Sequence, residues 1–169
     1  MVLLCTELES GGVRVVCANA GDARGVACFA GSSEAVRMSV DHTPGESGER
    51  RRLRLANGFV EFGRLDGSLA VSRALGDYSF ERSGLVATPH VFDSSSQASR
   101  LSGGLRLAVL ASDGLWDVVS DQDALDHAAR TLREGGSPAK AASLLARLAR
   151  DRLSSDDISV VVVAAAGVE

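Results

Sequence analysis

Short apolar runs, each closed by a turn of Gly, Ser or Asp, open this chain and limit what it can fold into. Val2–Leu8, Val13–Ala20, Arg24–Ala30 and Ala35–Val40 are such runs. The turns between them are Glu9-Ser10-Gly11-Gly12, Gly21-Asp22 and Gly31-Ser32-Ser33. Strand-length runs broken by turn formers predict a meander of antiparallel strands. Leu105–Ala111 is apolar almost throughout, the pattern of a strand buried on both faces, and Ile158–Ala166 repeats it near the C-terminal end.

Helices are legible in between. Pro44 and Gly45 open an arginine-rich helix that Asn57-Gly58 closes. Ser120, with Asp123 three residues on, reads as a capping-box-like start. Ser137-Pro138 starts another helix, with Ser as cap and Pro at the first helical position, and Leu144, Leu145 and Leu148 form its expected apolar face. Residues 59–92 are irregular, with strand-like pieces at Phe59–Phe62 and Val86–Phe92. Strands, a helix, more strands, two helices and a last strand predict an α+β fold rather than an alternating parallel sheet.

The length, 169 residues, suits one domain. Residues are 45% hydrophobic but only 4% aromatic, so the core must be built from Val, Leu and Ala. A net charge of −4 leaves no basic stripe for a nucleic acid backbone. No apolar run approaches the ~20 residues of a membrane span. The expectation is a soluble intracellular protein, cytoplasmic in the first instance with the nucleus left open. Cys5, Cys17 and Cys28 have no metal-ligand spacing and read as reduced core thiols. His42, His90 and His127 are isolated from one another and from cysteine. The basic run Arg50-Arg51-Arg52 with Arg54 reads as a solvated helix face, and Trp116 as a core anchor.

The aspartates carry the chemistry. Asp22 lies in a turn between two strands, Asp113 directly after Leu105–Ala111, and Asp156 just before Ile158–Ala166. If those strands are neighbours, three carboxylates meet at one rim, and Asp117 can join them. Clustered carboxylates repel and raise one another's pKa unless a cation neutralises them, and hard oxygen donors favour Mg²⁺, Mn²⁺ or Ca²⁺. Asp at strand ends is also ordinary turn chemistry, so spacing alone leaves both readings open.

Five segments in order point to one family. They are Ala18-Asn19-Ala20-Gly21-Asp22-Ala23-Arg24, Asp41-His42-Thr43-Pro44, the block Gly67–Asp77, Ala111-Ser112-Asp113-Gly114-Leu115-Trp116-Asp117, and Asp156-Asp157-Ile158-Ser159-Val160. The series resembles the metal-dependent type 2C protein serine/threonine phosphatases, the PPM family, over roughly residues 13–165. The resemblance implies a sandwich of two antiparallel sheets flanked by helices, in a single domain over residues 1–169. It also implies two Mn²⁺ or Mg²⁺ ions that activate a water for in-line attack on phosphorus. Asp113 and Asp156 correspond to ligands of the metal pair, and Asp22 and Asp117, with Asp113, to ligands of a weaker third site. Residues 45–78 correspond to the flap beside the cleft, within which Ser72, Arg73 and Asp77 read as structural. Asp157 stands where the family commonly has Asn. The implied substrate is a phosphoserine or phosphothreonine protein.

The family's Glu-Asp pair, its Asp-Gly-His-Gly-Gly motif and its upstream phosphate-gripping arginine do not occur in these residues. The expectation is therefore the C-terminal part of a catalytic domain, with N-terminal elements missing. Beyond the metal ligands it supplies no catalytic residue, neither general acid nor phosphate-binding arginine. Sheet edges left open by such a division would invite self-association. The alternatives are an inactive pseudophosphatase that binds phosphoproteins or a partner, and a site completed by oligomerisation or by a separate chain.

Overall fold

A computed structural model of the chain describes residues 1–7, 13–97 and 104–165. Two antiparallel sheets face each other. One has the order β1-β2-β7, from β1 (Val2–Glu7), β2 (Val13–Asn19) and β7 (His90–Asp93). The other has the order β4-β3-β8-β9, from β3 (Arg24–Phe29), β4 (Val36–Arg37), β8 (Leu105–Ala111) and β9 (Val160–Ala164). A small hairpin, β5 (Val60–Glu61) with β6 (Arg64–Leu65), stands apart. The expected turn over 9–12 and the last residue of the expected final strand, Ala166, lie outside the described residues.

The four-stranded sheet is buried from both sides. Val15, Cys17, Phe29, Met38, Phe92 and Ala108 fill the space between the sheets. The opposite face presents Val26, Cys28, Leu107, Val109 and Ala111 to three helices, α2 (Asp113–Trp116), α3 (Asp121–Arg133) and α4 (Pro138–Asp151). Among the described residues, helices cover this face of the sandwich and not the other. Both long helices are capped as their sequences predict: the Ser120 hydroxyl accepts from the Asp123 amide at 3.1 Å, and Ser137 from Lys140 at 3.1 Å.

Several expectations needed correction. The expected strand Ala35–Val40 contracts to Val36–Arg37, because the Ser39 hydroxyl takes the Gly25 amide at 2.9 Å and the chain then leaves the sheet. Val86–Phe92 contributes only His90–Asp93, since Pro89 has no N–H to give a ladder. The final strand is not buried throughout: β9 is at the sheet edge and Val161 is 57% exposed. Cys17 and Cys28 are buried thiols as expected, but Cys5 is exposed. On α4 the buried line is Ala141, Leu145 and Ala149, while Leu144 turns partly to solvent. Alanines at 141 and 149 flank Leu145, the one leucine in this buried line.

The segment after β4 builds a core of its own from Leu53, Leu65 and Leu85. Helix α1 (Ser47–Leu55) enters it and ends with Asn57 in the left-handed region at φ 64°. The Asn57 amide returns to Arg54 and the Gly58 amide to Leu53, which satisfies the last carbonyls of the helix. A Cβ on Gly58 would lie 2.2 Å from the Ser83 carbonyl oxygen, so this contact requires glycine.

At the centre of the segment is Glu49, 8% exposed. Its carboxylate accepts from Arg73 Nη2 at 2.7 Å, Arg52 Nη2 at 2.6 Å and the Ser72 hydroxyl at 2.8 Å. The guanidinium of Arg73 also reaches the Thr88 carbonyl, and that of Arg52 the Ser72 carbonyl. Ser72 and Arg73 thus act as a structural knot. Although burial alone would raise the Glu49 pKa, these hydrogen bonds hold it far below its ordinary 4.5. A carboxylate with a lowered folded-state pKa stabilises the fold fully above the unfolded value, and that contribution fades as pH falls below it. Glu49→Gln is therefore expected to cost about 2 kcal/mol at neutral pH. In urea melts followed by circular dichroism, the gap between wild type and variant should close as pH drops below about 4.5.

Candidate metal centre

Strand register places the aspartates. Arg24 of β3 pairs with Ala111 of β8, and Ala111 pairs with Val160 of β9. Asp22 lies two residues before Arg24, Asp113 two after Ala111, and Asp156 four before Val160. All three therefore leave the sheet at the same rim, and Asp117 follows one helical turn after Asp113.

Each carboxylate is held by local structure. The Asp22 turn begins at Gly21, whose φ of 105° favours glycine. Asn19, buried at the end of β2, braces this turn by donating to the Val40 carbonyl at 2.6 Å and accepting from the Val40 amide at 3.3 Å. The His42 amide donates to the Gly21 carbonyl at 3.0 Å, and the His42 Nδ1 lies 3.2 Å from the same oxygen. Burial, with the charge of Arg73 second, lowers the His42 pKa, so its ring is neutral at pH 7. Arg24 donates to Asp41 and, at 2.8 Å, to Asp121, with its guanidinium 5.3 Å from the Trp116 ring centroid. It joins the turn to the start of α3.

Asp113 and Asp156 are stitched together more tightly. The Ser112 amide donates to Ser159 at 3.1 Å, the Ser112 hydroxyl to the Asp157 carbonyl at 2.8 Å, and the Ser154 hydroxyl to the Gly114 carbonyl at 2.6 Å. Trp116 is an anchor here: its ring is 7% exposed and its Nε1 donates to the Ala111 carbonyl at 3.1 Å. Asp113 Oδ1 accepts from the Gly114 amide, and Asp156 Oδ1 from the Asp157 amide, so each also serves in a local turn.

The electrostatics match a convergent cluster. Burial raises the Asp22 pKa, and Asp113, Asp41 and Asp117 raise it further. Burial likewise raises that of Asp113, with added repulsion from Asp156 and Asp117. Asp22 and Asp113 therefore each feel neighbouring carboxylates of this set. Even so, among the described residues no group of three or more His, Cys, Asp or Glu side chains is arranged to hold a metal ion. The rim is a set of neighbouring hard donors and falls short of a finished ligand cage.

Residue-by-residue reading missed the brace made by Asn19 and His42 and the Asp41–Arg24–Asp121 link. An amide ending the apolar strand Val13–Asn19 was the available signal for the first. The second joins residues 97 positions apart, from Arg24 to Asp121, and nothing local announces it.

With this geometry, comparison with known proteins is specific. The model of the family "Protein phosphatase 2C" matches residues 2–158, and the chain belongs to that family. It is 37% identical over 157 residues to "Probable protein phosphatase 2C 22" of Arabidopsis thaliana, covering 90% of this chain and 40% of that protein. It is 40% identical over 146 residues to "Protein phosphatase 2C homolog 1" of Schizosaccharomyces pombe, covering 86% and 39%. Among solved structures, the crystal structure of a phosphatase from a pathogenic strain of Toxoplasma gondii superposes with a TM-score of 0.74 at 31% identity, covering 90% of this chain and 48% of that one. A Caenorhabditis elegans sex determining protein gives 0.72 at 25% identity, covering 88% and 36%. The chain spans less than half the length of each of these four. The antiparallel sandwich and α+β class expected from sequence are those of this family. No helix among the described residues is long and apolar enough to cross a membrane.

Gly114 tests the stitching. A Cβ there would lie 2.6 Å from the Asp157 carbonyl oxygen, a backbone atom that cannot swing aside. Gly114→Ala should force the Asp113 and Asp156 segments apart and cost about 2–3 kcal/mol. A thermal melt should show the midpoint falling by roughly 4–12 °C.

Proposed function

We propose that this chain is the C-terminal part of the catalytic domain of a metal-dependent phosphatase that hydrolyses phosphoserine and phosphothreonine in proteins. The observation that carries this reading is the shared register of β3, β8 and β9, which brings Asp22, Asp113 and Asp156 to one rim. Membership of the Protein phosphatase 2C family supports it.

The donors suit the metals this family uses. Carboxylate oxygens are hard ligands matched to Mn²⁺ or Mg²⁺, and the mutual repulsion of Asp22 and Asp113 with their neighbours is the kind a divalent cation relieves. Asp113 and Asp156 would hold the metal pair. Asp22 and Asp117, with Asp113, would form a weaker third site. Bound there, such ions acidify water and neutralise phosphate oxygens.

The chain's own residues supply position. Asn19 and His42 hold the Asp22 turn, while Ser112 and Ser154 hold Asp113 beside Asp156. Arg73 and Ser72 are engaged by Glu49 and are not assigned to phosphate. No residue here is assigned as general acid. Residues 45–78 are assigned as the flap beside the substrate, which is a phosphoprotein.

The test is hydrolysis of a phosphothreonine peptide by the protein that carries this chain in full. Turnover should require Mn²⁺ or Mg²⁺ and stop with EDTA. Asp113→Asn and Asp156→Asn should each lower kcat by about 10²-fold or more. Without divalent metal, Asp113→Asn should melt no lower than wild type, because it removes a repelled charge. Turnover that survives EDTA or both substitutions would sink the metal assignment. Phosphopeptide binding without turnover would sink the hydrolytic one.

A further inference from the structure

The arginine run on α1 is divided by the fold. Arg52 turns into the Glu49 knot, whereas Arg50, Arg51 and Arg54 stay exposed and make no ion pair or side-chain hydrogen bond among the described residues. These three line one shallow groove of about 400 Å³ with Gly45, Ser47 and Leu55. Leu55 is 79% exposed, a large apolar side chain beside a purely cationic set. No acidic side chain lines the groove, in a chain whose net charge is −4. The groove also borders the first turn of α1, whose cap residue Glu46 makes no side-chain hydrogen bond. Glu46 at the cap and Glu49 in the first turn offset the positive helix end, so the charge of the groove comes from the three guanidinium groups.

We propose that this groove docks an acidic peptide segment, rich in Asp and Glu and carrying an apolar residue against Leu55. In assigning that segment to the phosphoprotein substrate, the proposal rests on the phosphatase reading above. Charge complementarity carries it. Three guanidinium groups can each take a carboxylate in bidentate fashion, and clustering lets them act on successive acidic side chains. None of the three has a side-chain partner among the described residues, unlike Arg147, which pairs with Asp151 on α4. The groove selects by charge pattern and leaves the phosphorylated residue to the aspartate rim.

The test uses the protein that carries this chain in full and a fluorescein-labelled Asp/Glu peptide with one leucine and no phosphate. Fluorescence anisotropy gives its Kd, and hydrolysis of an aryl phosphate, which carries no acidic segment, reports the aspartate rim separately. Arg50→Glu with Arg54→Glu should weaken peptide binding about tenfold and leave aryl phosphate turnover unchanged. Arg50→Lys with Arg54→Lys should keep most of the binding, and binding should weaken as salt rises. Both variants alter exposed, unpaired side chains, so melts matching wild type should confirm that they fold.

Equal binding by wild type and the Glu variant would overturn the proposal, as would equal binding of an Asn/Gln version of the peptide. Binding only when the peptide carries phosphoserine would overturn the acidic-segment assignment and mark a phosphate subsite. If arginine-dependent binding appears without any metal-dependent turnover, the phosphatase reading fails while the docking groove stands.

Discussion

Strand β8 is the constraint on which the rest depends. It pairs with β3 on one side and β9 on the other, and five of its seven residues are buried. Leu107, Val109 and Ala111 face the helices, while Leu105 and Ala108 face the second sheet. Each large side chain buried this way contributes about 1.5–3 kcal/mol. A slip of one residue would exchange the two faces and put both packings wrong, so the register is strongly determined. That register also decides where the chain leaves the sheet. Asp113 stands where it does because Ala111 is locked opposite Arg24 and Val160.

Two clusters of charge lie on this frame, arranged on opposite principles. Around Glu49 every polar atom has a partner, and the carboxylate pKa is pushed far down. This charge holds a loop-rich segment whose own core is three buried leucines. At the rim, like charges crowd together, and Asp22 and Asp113 are pushed upward in pKa. A fold stabilises groups of the first kind and merely tolerates groups of the second. Such repulsion, kept in place by strands and serine stitches, is what the divalent cations proposed above would relieve.

Helix α1 shows how the same residue type takes two roles within one helical turn. Arg52 and Arg54 are two residues apart, so about 200° separates them around the helix axis. One reaches the buried carboxylate and the other faces outward into the groove. In sequence both belong to one basic run. What tells them apart is Glu49 on the inner face of α1, with Ser72 and Arg73 packed behind it.

Local physics was legible without the structure. The strand runs, the Ser120 and Ser137 caps, the Asn57-Gly58 helix stop and the apolar character of Leu105–Ala111 follow from propensities and turn chemistry that act over a few residues. The position of each aspartate at a strand end was legible too, and the ordered motif series named the family. What sequence left open was every choice made between distant residues. Whether Asp22, Asp113 and Asp156 meet depends on the pairing of β3 with β8 and of β8 with β9. Whether β9 is central or an edge depends on its neighbours. The bracing of Asp22 by Asn19 and His42 depends on Val40 passing beside the end of β2. Such contacts are set by packing and by long-range hydrogen bonds, whose partners lie too far along the chain to leave a local signature. The sequence by itself therefore determined the elements and the donor chemistry, and only the tertiary structure decided which donors share a rim and which arginines stay unpaired among the described residues.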